Sequence, residues 1–377
     1  MSKTLQDYAT LINDTIQSNE INHYITTDNM CQNLGGIDTF KNINIPQGKV
    51  RSFQKDDVLL SNIRLYFRKV YRVKQKGGCS SDVLVFRAKH IDSATLFAIL
   101  SSQIFTDYAC SGSQGSKMPR GNKTHMMDFK IPTINFTIAK IFNSIQNKIE
   151  NNHKINELLH KILELLYEQY FVRFDFLDEN NKPYQTSGGK MKFSKELNRL
   201  IPSGWSVRFL NHKIVSTYQP KTISKTLLND SYSYSVYGGG GIIGRFTEYN
   251  HKQSEFIISC RGQCGISYLT LPKSWITGNA MVIRPTKSYT SKTYLYHTIK
   301  KYKLTNYITG SVQPQITRQN LSTMPILIPK RKTLNKWNNI SSLLWNLIHN
   351  NMQSTQTLTA LRDFLLPLLL KQQVKPQ

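Results

Sequence analysis

One long amphipathic segment, from Thr137 to Phe171, most constrains what this chain folds into. It contains no Pro or Gly, and branched aliphatic residues recur at two seam positions of a seven-residue repeat. A pattern sustained over five such repeats is typical of a coiled-coil helix rather than of an ordinary surface helix. The first seam position carries Ile138, Ile145, Asn152, Leu159 and Leu166, and the second carries Ile141, Lys148, Ile155, Ile162 and Gln169.

The same pattern returns between Leu334 and Lys371. Asn152 and Asn351 occupy the same heptad position, each near the middle of its segment. If the two helices pair antiparallel, we expect the two asparagines to meet, and a buried Asn there fixes register and partner at some cost in stability. The alternative is two separate helices, each packed on its own domain. The seam residues of this second segment are Trp337, Leu344, Asn351, Leu358 and Leu365, alternating with Ile340, Leu347, Ser354, Leu361 and Leu368.

The remaining sequence is a tandem repeat with a period of about 195 residues, the kind of self-similarity that reveals a repeated architecture. Five ordered matches link the halves, and each half reads as a mixed α/β globule followed by a long helix. The matched positions are Asp57 with Glu255, Asp82 with Asn279, Ser93–Tyr108 with Ser291–Tyr307, Gly112 with Gly310, and Lys130 with Thr323. The predicted fold class is α/β (α+β), with the two helices pairing as an antiparallel coiled coil.

The repeat also sets the predicted domain boundaries. The five parts are a first globule at 1–136, a helix at 137–171, a polar interdomain linker at 172–199, a second globule at 200–333 and a second helix at 334–371. Inside the first globule we expect a strand at Val83–Phe86, a helix at Ala94–Tyr108 capped by Asp92 or Ser93, and a short strand at Phe129–Pro132.

The charge balance limits the class of partner. The 377 residues include 49 Lys and Arg against 23 Asp and Glu, a formal net charge of +26. Such an excess indicates a polyanion, most often nucleic acid, and excludes a protein that mimics DNA. A Lys-rich proteome explains only part of a ratio of two to one.

Cysteine usage and hydropathy predict the compartment. The five cysteines are scattered, and the sequence has no pattern typical of a signal peptide, so we expect a reducing cytoplasm. The longest apolar run, near the C terminus, is too short to span a bilayer, so no membrane partner is expected.

No catalytic constellation is found. The glycines from Gly238 to Gly241 are not a P-loop, because no Lys-Ser or Lys-Thr pair follows them, and they lack the acidic partner of a dinucleotide-binding fingerprint. A tight turn that allows close backbone approach is the favoured interpretation, and one target of such an approach is a DNA phosphate. Cys260 and Cys264 have no second pair at zinc spacing, so we expect structural thiols and no metal.

What remains is binding chemistry in loops rich in Gly and Ser. Arg pairs bidentately with guanine, and Gln pairs with adenine, so side chains of these types at matching repeat positions indicate a DNA-binding face. For any single residue, a solvated charge is the alternative. The candidates are Arg64, Arg68, Gln114, Lys117, Arg120 and Lys123 in the first half, and Gly239, Gly240, Arg245, Arg261, Gln263, Gln313, Gln315 and Arg318 in the second.

The ordered strings of the chain resemble one known family. LYEQYFVRFDF ends the first helix, IPSGW opens the second globule, YGGGGIIG and GSVQPQITRQNLSTMPILIP lie toward its end, and LTALRDFLLPLLL ends the second helix. In this order they look like the specificity subunit of a type I restriction-modification enzyme, over nearly the whole chain. The first globule departs from the pattern, because it lacks a Pro-x-Gly-Trp entry and its closing loop is less regular.

The resemblance implies a non-catalytic subunit. Each globule would be a target-recognition domain that reads one half of an asymmetric, bipartite double-stranded DNA sequence. The helix pair would act as a ruler, since about 35 residues span roughly 50 Å and a turn of DNA is about 34–36 Å. Two adenine-N6 methyltransferase subunits would dock on the helices, and an ATP-dependent restriction and translocase subunit would join them. S-adenosylmethionine, ATP and Mg would bind to those partners and not to this chain.

Two other classes of function stay open at this point. A stand-alone architectural protein that binds DNA or RNA would be soluble and would bind tightly without sequence preference. A nuclease or methyltransferase with an unfamiliar site would be active as the purified chain alone. A specificity subunit instead predicts apolar helix surface that is exposed without its partners.

Overall fold

A computed structural model describes residues 3–38, 43–131, 134–229, 232–262, 264–310 and 313–369. The chain divides into two compact units. Unit 1 comprises Met1–Lys154 together with Met352–Gln377, and unit 2 comprises Ile155–Asn351. Each unit contains one mixed α/β globule and a part of each long helix. The compact units therefore divide within the helices, whereas the sequence placed the boundaries at the helix ends.

Among its described residues, the first half of the chain contains four short helices, eight strands and the first long helix. Their bounds are α1 Leu5–Tyr8, β1 Ala9–Ile12, β2 Thr15–Gln17, β3 Tyr24–Ile25, β4 Lys49–Phe53, β5 Val58–Ser61, β6 Val70–Arg72, β7 Gly77–Cys79, β8 Val83–Ala88, α2 Ser93–Ser101, α3 Gln103–Ser111, α4 Lys123–Met127 and α5 Phe136–Tyr167. Short 3-10 turns cover Ser18–Glu20 and Leu65–Phe67, and a π turn covers Glu168–Val172.

The second half contains thirteen strands, two short helices and the second long helix, within the part of the chain that the structure describes. Their bounds are β9 Met191–Ser194, β10 Arg199–Pro202, β11 Ser206–Phe209, β12 Val215–Tyr218, β13 Tyr234–Gly238, β14 Gly241–Phe246, β15 Phe256–Ser259, β16 Ser267–Leu269, β17 Trp275–Ile276, β18 Ala280–Pro285, α6 Lys292–Lys300, β19 Ile308–Thr309, β20 Gln315–Ile316, α7 Arg318–Ser322, β21 Pro325–Ile328 and α8 Arg331–Leu365. The 3-10 turns are Lys225–Leu227, Leu304–Tyr307 and Leu366–Leu369.

The two units contain the same main sheet. Its strand order is β1-β8-β5-β6 in unit 1 and β12-β18-β15-β16 in unit 2, and every pairing is antiparallel. The two inner strands of each sheet are β8 and β5 in unit 1 and β18 and β15 in unit 2. They are apolar runs that are buried on both faces. The predicted tandem repeat is confirmed by this shared order.

A charged pair recurs at the same place in both sheets. Arg87 donates from Nε and Nη2 to the two carboxylate oxygens of Asp57, at 2.8 and 2.9 Å. Arg284 donates in the same way to Glu255, at 3.0 and 2.6 Å. These bidentate bonds raise the pKa of both guanidinium groups, because the bonded carboxylate favours the charged form. We call β5 and β15 the central strands of their sheets. Each pair joins the residue before the central strand to the neighbouring strand, β8 or β18.

The two long helices confirm the heptad prediction to within a few residues at most ends. Helix α5 passes into the π turn at Glu168, and α8 passes into a 3-10 turn at Leu366. Pro367 explains the second change, since proline has no N–H to continue the α-helical ladder. Hydrogen bonds from Asn152 to Thr355 and from Arg362 to Gln146 fix an antiparallel pairing inside unit 1.

The first seam position of α5 is confirmed, and the second is wrong by one residue. Ile138, Ile145 and Asn152 are buried as predicted, and Leu159 and Leu166 are half-buried. The second-seam residues Ile141, Ile155 and Ile162 are exposed. One residue further along the helix, Phe142, Ile149 and Leu163 are buried, and Asn156 donates to the Ile348 carbonyl of α8. Steps of three then four and steps of four then three are both compatible with a seven-residue repeat. The sequence carries apolar residues at both positions, so periodicity alone does not separate them.

Helix α8 shows the same displacement. The predicted second-seam residues Ile340, Leu347, Leu361 and Leu368 are exposed. The buried positions are the next ones along the chain: Ser341, Ile348, Arg362 and Leu369. Two of these buried residues, Ser341 and Arg362, are polar. A search for apolar residues at heptad spacing therefore does not find this seam.

The two seam asparagines bond across the helix pair but not to each other. In unit 1, Asn152 donates to Thr355 Oγ1 at 3.1 Å. In unit 2, Asn351 donates to Asn156 Oδ1 at 2.9 Å, and Asn156 donates to the Ile348 carbonyl at 3.3 Å. The predicted meeting of Asn152 with Asn351 is wrong, because the register places Thr355, one turn beyond Asn351, opposite Asn152.

The predicted polar linker at 172–199 is wrong, because much of it is folded into unit 2. Phe174 and Phe176 are buried, and their rings lie 5.6 and 5.1 Å from the ring of Trp205. Strands β9 and β10 form an antiparallel hairpin immediately afterwards. The buried phenylalanines stand among charged residues without a regular period, so their burial leaves no pattern in the sequence.

Two local predictions in the first globule also need correction. The predicted helix at Ala94–Tyr108 is two helices, because Ser102 is extended and its hydroxyl caps α3 by accepting from the Phe105 amide. Asp92 caps α2, as predicted. At Phe129–Pro132 the described residues form a single bridge, Thr4 with Lys130, and no strand; Pro132 lies outside the described residues.

Candidate nucleic-acid interface

In unit 1, the loop after β5 meets the loop before α4 through backbone pairing. Arg120 bridges to Ile63 on one side and to Gln114 on the other. Gln114 and Arg120 exchange two backbone hydrogen bonds of 2.9 Å, and the Arg64 amide donates to Pro119 at 2.9 Å. We call these two paired loops the junction. Its backbone hydrogen bonds fix the Cα positions from which the side chains project, independently of the side-chain type.

The junction of unit 1 presents polar side chains to solvent. Gln114, Lys117 and Arg120 are exposed, and Arg64 is half-buried with its Nη2 3.5 Å from the Lys117 carbonyl oxygen. Arg120 Nη2 lies 3.0 Å from Asp82 Oδ1, and 62% of the Arg120 side chain is exposed. The structure therefore brings these four predicted candidates together.

The other two candidates of the first half differ in their surroundings. Lys123 is exposed and is the first residue of α4, which Asn122 caps. Arg68 is half-buried, and its Nη2 donates to the Ser101 carbonyl at the end of α2, at 2.9 Å. Burial lowers the pKa of the Arg68 guanidinium. This guanidinium thus contacts the protein's own helix, a role that the sequence did not indicate.

Unit 2 contains the same junction. Gln315 bridges to Arg261 in the loop after β15 and pairs with Thr309 in the β19–β20 hairpin. The Ile316 amide donates to the Cys260 carbonyl at 3.0 Å. An open pocket of about 450 Å³ lies at this junction, and its lining residues are Arg261, Gly262, Gln313, Pro314 and Gln315. Gln263 lies outside the described residues.

Backbone pairing shows which residues correspond between the two units. Arg120 in unit 1 has the place of Gln315 in unit 2, since each bridges to the loop after the central strand and to the residue that precedes the turn. Lys123 has the place of Arg318, since each is the first residue of the short helix that follows. The structure therefore gives the paired candidates the same local setting.

The glycine-rich turn in unit 2 packs against this junction. A Cβ atom on Gly239 would lie 2.7 Å from the Arg261 carbonyl oxygen, so a residue other than glycine would displace that backbone. Gly240 is exposed and has open space around it. Arg245, on the following strand, donates to the Ser233 carbonyl at 2.6 Å. The sequence predicted that these glycines allow a close backbone approach. At Gly239 the group that approaches is the protein's own backbone, at Arg261.

Arg318 lines a second open pocket in unit 2, of about 500 Å³. Its neighbours include Asn211, His212, Ser216 and Gln319, none of which the sequence had indicated. The Asn211-His212-Lys213 turn between two strands was the signal available, because polar side chains at strand ends are placed for binding. Arg318 and Gln315 therefore line two different pockets.

The two cysteines of this region make hydrogen bonds within unit 2. Cys260 Sγ lies 2.9 Å from Gln219 Nε2, and Cys264 Sγ lies 3.1 Å from the Pro314 carbonyl oxygen. Burial raises the pKa of both thiols, which favours the protonated form. Within the described ranges, no group of three or more His, Cys, Asp and Glu side chains is placed to hold a metal ion. In the same part of the chain, no helix is both long enough and apolar enough to cross a membrane.

Comparison with known proteins agrees with this architecture. Residues 202–361 match the family described as the type I restriction modification DNA specificity domain. The type I restriction enzyme MjaIX specificity subunit of Methanocaldococcus jannaschii is 22% identical over 315 residues, which cover 74% of this chain and 68% of that protein. The crystal structure of the type I restriction-modification S subunit from M. genitalium aligns over 99% of this chain and 96% of its own, with a TM-score of 0.63 and 14% identity.

The fold of the chain is thus similar to that of a type I restriction-modification S subunit. Residues 202–361 belong to that domain family, and the resemblance of the chain to type I specificity subunits is confirmed.

Proposed function

We propose that this chain reads an asymmetric, bipartite double-stranded DNA target, with one half-site read by each unit. One observation carries the proposal: the same two loops meet in both units and present exposed Arg and Gln side chains at equivalent positions. These side chains supply the hydrogen bonds that distinguish base edges in the major groove. Lys123 and Arg318, next along the chain, suit phosphate, which positions a protein without specifying sequence.

The proposed role is recognition without catalysis. Two adenine-N6 methyltransferase subunits would bring S-adenosylmethionine and flip the target bases. ATP-dependent restriction and translocase subunits would bring ATP and Mg. The large positive net charge of this chain supports the DNA part of the proposal, because neutralising phosphates drives most of the affinity for DNA.

An apolar face of the helix pair supports the docking of methyltransferase subunits. In unit 2, the two helices expose aliphatic side chains at equivalent heptad positions: Ile155, Leu158, Ile162 and Leu165 on α5, and Ile340, Leu343 and Leu347 on α8. In an antiparallel pair, equivalent positions of the two helices lie on the same side, so these residues form one face. We name it the unit 2 face. An apolar face of this size marks a surface for a protein partner.

Unit 1 has a corresponding set at the same heptad positions. Ile141 on α5, and Leu361 and Phe364 on α8, are exposed, with Phe364 at 68%. Two equivalent apolar sets fit two copies of one partner. We therefore propose that each unit docks one methyltransferase subunit.

Stoichiometry tests the docking. Replacing Leu158 and Leu343 by Ser in the full chain is expected to remove one of two methyltransferase copies, as counted by native mass spectrometry of the co-purified complex. Asn346→Ser, at an exposed polar position of α8, is the matched control and should keep both copies. Retention of two copies by the double variant, or the loss of both copies, would refute docking at the unit 2 face.

Selection from a DNA library tests the reading of half-sites. The complex of the full chain with its methyltransferase subunits is expected to select a bipartite motif. Gln114→Ala should change bases only in the first half of that motif, and Gln313→Ala should change bases only in the second. Equal loss of affinity for all sequences would favour the architectural alternative. Cleavage or methylation of DNA by the purified chain alone would favour the enzyme alternative.

We further propose that the length of the helices sets the spacer between the half-sites. Both α5 and α8 contribute residues to both units. Inserting four residues after Asn152, together with four after Ser354, lengthens both helices at opposed positions. The spacer in the selected motif should change while both half-site sequences stay the same, and a changed half-site with an unchanged spacer would contradict the ruler.

A further inference from the structure

We infer that Arg120 and Gln315 read equivalent base pairs of the two half-sites, a guanine in the first and an adenine in the second, and that Asp82 orients Arg120 for its guanine. This inference rests on the proposed function and assigns bases to that same site.

The equivalence of the two readers is fixed by backbone. Arg120 bridges to Ile63, two residues after β5, and Gln315 bridges to Arg261, two residues after β15. On the other side, Arg120 pairs with Gln114 and Gln315 pairs with Thr309, with five residues between the two partners along the chain in each case. The side chains of Arg120 and Gln315 are both exposed to solvent. They are therefore presented from the same place in the same fold.

The chemistry of the two side chains differs in a way that selects bases. The guanidinium offers parallel N–H donors that match O6 and N7 of guanine. The carboxamide offers one donor and one acceptor, which match N7 and the N6 amino group of adenine. The same backbone position thus presents two donors in unit 1, and a donor with an acceptor in unit 2.

Asp82 is present only where the reader is an arginine. The Asp82 carbonyl accepts from the Asn62 amide at 2.7 Å, and the Asn279 carbonyl accepts from the Cys260 amide at 3.0 Å. Asn62 and Cys260 are each the first residue after the central strand, so Asn279 occupies the place of Asp82 in unit 2. A carboxylate 3.0 Å from Arg120 Nη2 holds one side of the guanidinium.

The remaining donors of Arg120 stay available for DNA. The guanidinium has five N–H groups, and the contact to Asp82 uses one nitrogen. An exposed ion pair of this kind adds little stability, because solvent screens it. Its effect is on orientation, which restricts the rotamers of a long side chain before the DNA arrives. Asp82 is thus a positioning residue for the guanine reader.

The test is a reciprocal exchange in the full chain, purified with its methyltransferase subunits and presented with a DNA library randomised in both halves. Arg120→Gln is expected to change one guanine of the first half to adenine, and Gln315→Arg to change one adenine of the second half to guanine. Each exchange should reverse base preference by between about fivefold and about 150-fold, the range for one bidentate contact. Arg120→Lys, which keeps the charge but not the fork, should keep guanine as the preferred base and weaken that preference.

The role of Asp82 is tested by Asp82→Asn, which copies unit 2. The preference for guanine at the Arg120 position is expected to fall several-fold while the second half-site stays unchanged, and Asp82→Glu should restore part of it. Lys55→Gln is a surface control at the other end of β5 and should leave the motif unchanged. Thermal unfolding of each variant distinguishes a changed preference from a misfolded unit 1.

The outcomes separate the two levels of proposal. A wild-type complex that selects no bipartite motif would overturn the proposed function, and the base assignment with it. A bipartite motif whose bases do not change in Arg120→Gln and Gln315→Arg would overturn the base assignment alone. An equal loss for all sequences in Asp82→Asn would make Asp82 a purely structural residue.

Discussion

Unit 1 and unit 2 share the arrangement of their main sheet and differ in the side chains that form their cores. Both have the same four-strand order, and both carry a bidentate carboxylate–guanidinium pair at the start of the central strand. The interior of unit 1 is built largely from aliphatic and phenylalanine side chains. In the interior of unit 2, His297 packs against the rings of both Tyr167 and Trp337. A repeated scaffold therefore tolerates cores of different chemistry.

The junction loops show the same division between backbone and side chain. The pairing that holds the two loops is kept in both units, while Arg120 is exchanged for Gln315 and Asp82 for Asn279. A position whose backbone is held by its neighbours can change side chain without losing its place. We therefore expect differences between the units to appear in specificity and in pH response rather than in fold.

The largest expected difference is in the response to acid. Burial lowers the pKa of His297 to about 3 and that of His349 to about 4, from 6.5, and the nearby lysines Lys300 and Lys292 act in the same direction. Unit 2 therefore holds both histidines neutral. Their contribution is fully present above about pH 6.5 and is lost as the pH falls, because the unfolded chain binds protons that the folded unit does not.

We expect unit 2 to lose about 4 kcal/mol of stability between pH 7.5 and pH 5, roughly 2 kcal/mol for each histidine. All four tryptophans, at 205, 275, 337 and 345, lie in unit 2, so their fluorescence during urea unfolding reports on this unit. His297→Phe should remove about half of the pH dependence. An unchanged pH dependence in that variant would show that other groups are responsible.

The next difference concerns the repeated charged pair. Asp57 is 2% exposed beside Arg87 at 35%, whereas Glu255 is 10% exposed beside Arg284 at 47%. Removing a carboxylate costs more where its partner is less solvated. Asp57→Ala should destabilise unit 1 by about 3 kcal/mol, and Glu255→Ala should destabilise unit 2 by about 1 kcal/mol. Hydrogen exchange of peptides from each unit measures both, and equal costs would contradict the argument from exposure.

The smallest effect tests the register of the helices. A double-mutant cycle between Asn152 and Thr355, with alanine at each, should give a coupling of about 1 kcal/mol, the value of one hydrogen bond. The same cycle between Asn152 and Asn351 should give a coupling near zero, since each bonds within its own unit. A substantial coupling between the two asparagines would restore the register predicted from the sequence.

The sequence predicted what depends on local periodicity and on order along the chain. The long helices and the repeat follow from heptads and from matched strings. The second seam was misplaced because Ile141 and Phe142 are both apolar and one residue apart. The buried Phe174 and Phe176 follow no period, so the folded segment around them read as a linker.

The candidate site was predicted in part for a similar reason. Loop composition and repeat offset indicated Arg120 and Gln315. The contact between Arg120 and Asp82 joins residues 38 positions apart. A local sequence pattern does not predict a contact between residues so far apart in the chain. The packing of Gly239 on Arg261 was not predicted for the same reason. Only the tertiary fold brings these residues together.

Methylation mapping tests the central claim most directly. The chain is co-expressed with adenine methyltransferase subunits from the same genome, and the methylated adenines of the host DNA are mapped. The account predicts one bipartite motif with a methylated adenine in each half. A stable complex that methylates no defined sequence, or tight binding of DNA by the chain without any complex, would contradict it.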